Sequence, residues 1–86
     1  MEIEPQDDHE YLVRTQGAET RVRVTPEVLD RVSASVTDEP RVVELTVDWL
    51  LERQQAADLP QLIDLEDVAD AYDDYADAIG RRLTAS

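Results

Sequence analysis

Two short runs of period two flank a glycine, and they limit this chain more than any other feature. From His9 to Thr25, Tyr11 and Val13 alternate with Glu10, Leu12 and Arg14, and Val22 and Val24 alternate with Arg21 and Arg23. Such alternation marks a half-buried strand, because successive side chains of an extended backbone point to opposite faces. Gln16-Gly17 lies between the runs, where glycine supplies the positive φ of a tight turn. A two-residue loop sets Tyr11 opposite Val22 and Val13 opposite Thr20, with Arg14 opposite Glu19 and Glu10 opposite Arg23 on the other face. Both charge pairs are opposite in sign, each worth about 0.2–1 kcal/mol. A four-residue loop would set Arg14 against Arg21, so the shorter turn is expected. A lone hairpin is not stable in water, and its Tyr11, Val22 and Val24 face therefore requires helices against it.

Three helical segments follow. Thr25-Pro26-Glu27 combines an N-cap threonine, a proline at the first helical position and an acid at the positive end of the dipole. The helix is expected from about Pro26 to Ser33, with Val28, Leu29 and Val32 inward. Between Asp38 and Ala57, Val43, Leu45, Val47 and Trp49 alternate with polar residues as in a strand. The polar stripe Arg41, Glu44, Asp48, Glu52 and Gln55 instead steps by three and four, and it continues where the alternation fails at Leu50-Leu51. A helix is therefore expected. Its Val42, Leu45, Trp49 and Leu50 make one apolar face, which Val43, Val47 and Leu51 extend around the cylinder. Pro60 interrupts the connection from Asp58 to Ile63. A last helix is expected after the cap Asp64, with Asp67 as capping-box partner, Ile63 and Val68 as a staple, and Gly80 near its end.

The fold class read from this order is α+β, one small domain with an N-terminal hairpin packed on three helices (ββααα) and about half helical. Residues 1–8 are expected to be a loose acidic tail, 9–83 the domain and 84–86 a frayed end.

At 86 residues such a domain buries only ~60–65% of its unfolded surface, which favours association. The wide apolar sector means either that the middle helix is central, packed by hairpin and helix on two sides, or that Val43, Val47 and Leu51 are candidate interface residues; a homodimer is the expected assembly. Tyr75, at the border of the last helix's inner stripe, is a further interface candidate, whereas Trp49 and Tyr72 are expected inside.

Charge narrows the function classes. The net charge is −13, and all eight basic residues are arginine. Acid excess without lysine fits GC-rich coding or life in high salt as readily as a surface built for a basic partner. It excludes broad phosphate-backbone binding, which needs clustered cations. Asp67, Asp70, Asp74 and Asp77, spaced three and four apart, would share one face of a continuous helix and offer a candidate acidic surface for a basic protein.

Chemistry has little to stand on. No cysteine, no nucleophile elbow, no phosphate loop and no dinucleotide fingerprint is present. His9, the lone histidine, is expected to cover the hairpin edge. No catalytic residue, metal site or cofactor is assigned, and no apolar run is long enough for a membrane span. The expected role is a small, cytoplasmic, non-enzymatic protein-interaction domain, acting as a homo-oligomer or as a subunit of a larger assembly, without direct nucleic-acid or membrane contact. Its alternative is a regulator that occludes a basic nucleic-acid-binding protein or toxin through the acidic helix.

Overall fold

The computed structural model describes residues 1–7, 9–15 and 17–85. The hairpin forms from β2 (Glu10–Thr15) and β3 (Ala18–Arg23), paired antiparallel in the expected register: Tyr11 faces Val22, Val13 faces Thr20, Arg14 faces Glu19 and Glu10 faces Arg23. Gly17 adopts φ 81°, and its turn partner Gln16 lies outside the described residues.

Two further strands extend the hairpin to a sheet of order β1-β2-β3-β4. The expected loose tail is corrected to β1 (Glu2–Asp7), antiparallel to β2; Asp8 lies outside the described residues. β1 forms because the open edge of β2 offers a backbone ladder, Ile3 packs opposite Val13, and Arg14 binds Glu4 at 2.7 Å and Glu2 at 3.7 Å. The expected connection before the last helix contains β4 (Leu62–Asp64), which runs parallel to β3. Parallel neighbours need a long crossover, and helices α1 (Pro26–Arg31) and α2 (Glu39–Leu51) supply it.

Helix α1 starts as its sequence dictates, with the Thr25 hydroxyl accepting from the Val28 amide at 3.3 Å. It ends in a Schellman turn: the amides of Ser33 and Ala34 donate to the carbonyls of Asp30 and Leu29 at 3.1 and 2.8 Å. Ser33 takes the left-handed φ of 60° that this turn demands. Helix α2 is shorter than expected and buried on nearly every side, with the stripe of Arg41, Asp48 and Glu52 left in solvent.

The expected single last helix is two helices, α3 (Leu65–Ala71) and α4 (Tyr75–Ala85). Asp73 and Asp74 favour caps over helix interiors, so the chain breaks there. Asp64 caps α3, accepting from the Glu66 amide at 3.0 Å. Gly80 does not end α4; it lets α4 approach α1, since a Cβ there would stand 3.3 Å from the Val32 carbonyl oxygen. Thr84 and Ala85, expected to fray, remain helical, and the Thr84 hydroxyl donates to the Gly80 carbonyl at 3.0 Å. Ser86 lies outside the described residues.

The result is an α+β domain, about half helix and a quarter strand. One sheet face, carrying Tyr11, Val13, Thr20, Val22 and Ile63, is buried with the helices; the other, carrying Arg14, Arg21, Arg23 and Leu62, is open to solvent. Among the described residues, no helix is long and apolar enough to cross a membrane.

Candidate functional site

Of the three apolar residues expected at an interface, helix α2 turns Val43 and Val47 into the core and leaves Leu51 half-buried at its edge. Val43 and Val47 are 0% exposed and Leu51 is packed against the same core. Tyr75 is corrected likewise: it is 0% exposed, and its hydroxyl lies 2.6 Å from the buried Thr46 hydroxyl. The middle helix is over-apolar because it is central, covered on one side by α4. Trp49 meets Tyr75 edge-on at 5.4 Å and Tyr72 at 5.0 Å, while the Arg53 guanidinium lies 3.7 Å over the indole. Burial pushes the Tyr75 phenol up to about 12, against the lowering effect of the Thr46 hydrogen bond.

The acidic strip is divided. Asp67 and Asp70 stand on α3, Asp74 in the break and Asp77 on α4. Asp70 holds Arg31 at 3.0 Å and Asp74 holds Arg53 at 3.6 Å, so these two carboxylates tie α3 and the break to neighbouring elements. Asp67 stays exposed on α3.

What Tyr75 loses, Tyr72 gains. The break leaves Tyr72 38% exposed, and Leu62 of β4 is 49% exposed. Both line one groove of about 270 Å³ between β4, the end of α2 and α3, with Leu50, Pro60, Val68 and Ala71. Asp64 and Asp67 stand at this groove, and among the described residues no basic side chain lines it. Sequence reasoning missed it because Leu62 lay in an expected loop and Tyr72 in an expected core. The available signal was the pairing of Leu62 with Ile63 ahead of the Asp64 cap, two apolar residues of which a strand can bury only one.

A second constellation joins β2 to α2. Glu39, only 3% exposed, accepts a hydrogen bond from the Tyr11 hydroxyl at 2.9 Å, and its other oxygen lies 2.7 Å from His9 Nδ1. Its position at the first turn of α2 adds the positive end of the helix dipole. Burial first, then the hydrogen bond to Glu39 and its charge, push the Tyr11 phenol up to about 12. His9, at φ 63°, therefore faces a helix terminus instead of capping the hairpin edge alone. The arrangement resembles the carboxylate–imidazole half of a general-base pair, but the same carboxylate also holds Tyr11. Its chemistry is that of a clamp between the sheet and α2. Among the described residues, no three His, Asp or Glu side chains converge to hold a metal ion.

The chain matches no family model, and no curated protein and no solved structure matches it significantly.

Proposed function

We propose that this protein is a small, non-enzymatic interaction domain of the cytoplasm that takes a basic protein segment in the groove between β4, α2 and α3. One observation carries the reading: Leu62 and Tyr72, two of the few large apolar side chains left exposed, line the same groove beside Asp64 and Asp67. The Asp64 and Asp67 carboxylates beside this apolar groove suit a basic partner lying on its α3 side, since Arg21 and Arg23 stand next to Leu62 on the open sheet face. A cysteine-free chain suits a reducing compartment. Mimicry of a phosphate run by the last helix has less support, because the break at Tyr72 to Asp74 interrupts the run and two of its carboxylates hold arginines.

Selection of a random peptide library on the immobilised protein tests the reading without presupposing a bound shape. Recovered sequences should combine Arg or Lys with a large apolar residue. Their affinity should fall about tenfold or more in Tyr72→Ala and in Asp67→Lys, as for anchors of a small interface. Sequences without basic bias, or binding indifferent to both changes, would overturn it.

A further inference from the structure

The two edges of the sheet are built differently. The β1 edge carries Glu2, Glu4, Pro5 and Asp7, with a register irregularity between Pro5 and Asp7. Charges, proline and irregular pairing are the devices by which proteins keep an edge from recruiting another strand. The β4 edge uses two such devices, its three-residue length and the terminal Asp64, but along Leu62-Ile63 it carries neither charge nor proline.

Ladder geometry fixes what that edge presents. The Arg21 amide donates to the Gln61 carbonyl at 2.8 Å, and Val22 is the register partner of Ile63. In a parallel pair alternate residues turn both backbone groups toward the neighbour, so Gln61 and Ile63 face β3. The N–H and C=O of Leu62 then point outward, along the border of the groove that Leu62 itself lines.

We propose that β4 is a strand-addition site: an extended segment pairs with the backbone of Leu62, sets an apolar side chain into the groove, and brings a Lys or Arg to Asp64 and Asp67. This rests on the reading of the groove as a protein-binding surface and specifies how the partner lies there. Main-chain hydrogen bonds supply affinity in such recognition, and alternate side chains supply specificity. A second copy of this chain fits poorly, since it would bring another net charge of −13 beside Asp64 and Asp67, and its own β4 edge carries no basic side chain. A basic segment removes that repulsion.

The probe is a synthetic peptide alternating leucine or valine with arginine, binding to the full-length protein in solution. Two derivatives carry backbone N-methyl groups on alternate residues, one set on each edge of the extended peptide. The side chains and charge are unchanged, but one edge can no longer donate. Methylation of one edge should weaken binding about fivefold or more, from loss of the hydrogen bond to the Leu62 carbonyl and the clash of the methyl group, and methylation of the other should leave it within about twofold. The Leu62 amide should become protected from hydrogen exchange in the complex. Leu62→Pro, which removes an amide not used in the β3 ladder, should weaken the parent peptide more than Leu62→Ala does. Equal affinity for both methylated forms and the parent overturns strand addition. It leaves the groove reading standing if Tyr72→Ala and Asp67→Lys still abolish binding. Failure of the parent peptide to bind also overturns strand addition, while the library selection judges the groove independently. Light scattering that shows a stable dimer, lost in Leu62→Pro, would assign the edge to a second copy and overturn the proposal.

Discussion

Ser33 is a β-carbon residue in a glycine's conformation, and the strain is local and removable. At φ 60° the Schellman turn closes α1 with two carbonyls satisfied, but a non-glycine residue there costs about 1 kcal/mol or somewhat more. Ser33→Gly should raise the unfolding free energy by about 0.5–1 kcal/mol in a urea titration. The Thr46–Tyr75 pair is the opposite case, two hydroxyls that satisfy each other inside the core at 2.6 Å. Thr46→Val should cost about 1–3 kcal/mol, because it leaves the Tyr75 hydroxyl buried without its partner. Adding Tyr75→Phe should restore part of that loss, and a double-mutant cycle measures the coupling.

The hairpin and the start of α2 are joined by one buried carboxylate. Glu39 holds His9 and Tyr11, both from the β1–β2 side of the sheet, against the first turn of the helix. Glu39→Ala orphans the Tyr11 hydroxyl and frees His9, so amide exchange in β1 and β2 should accelerate more than in α3 or α4. Uniform acceleration would mean that the contact has no local clamping role. The break between α3 and α4 works on the same principle of local preference serving long-range packing. The chain turns at Asp73-Asp74, and Tyr75 is delivered to Trp49 while Tyr72 lines the groove.

Across the full fold, extents of 31 × 27 × 24 Å hold a charge of −13. At ~0.01 M salt the screening length is ~30 Å, so every carboxylate feels the others; at ~1 M it contracts to ~3 Å. Thermal stability should therefore rise steadily with sodium chloride, and a flat profile would show that the paired arginines already neutralise the repulsion. Alkaline pH should act against the fold. Tyr11 and Tyr75 are pushed from 10.0 to about 12, so the folded chain keeps two phenol protons that the unfolded chain releases. Their contribution is whole below pH 10.0 and is lost as pH rises through about 12. Tyr75, fully buried, accounts for roughly 2–3 kcal/mol at most, and Tyr11, whose Glu39 interaction is screened by nearby solvent, for less. Urea unfolding across that window should show the fall, and Tyr75→Phe should remove more than half of it.

Periodicity and local chemistry are properties of neighbouring residues, which is why the hairpin register, the Thr25 and Asp64 caps and the helical nature of α2 are legible in the sequence itself. The two-residue turn is dictated by charge pairing across the strands, and the caps by the hydrogen-bonding reach of a single side chain. β1 and β4 are not legible there, because each is a strand by virtue of the edge it meets. Neither an acidic stretch with one half-buried isoleucine nor three residues after a proline carries a pattern of its own. The same holds for the site. Apolar excess on α2 reads identically whether a partner or the rest of the chain covers it, and only the packing of α4 assigns Val43, Val47 and Tyr75 to the core. Leu62 and Tyr72 become surface because an added strand and a broken helix bring them together. Short-range preferences are written residue by residue, whereas burial is decided by which distant elements arrive to exclude the water.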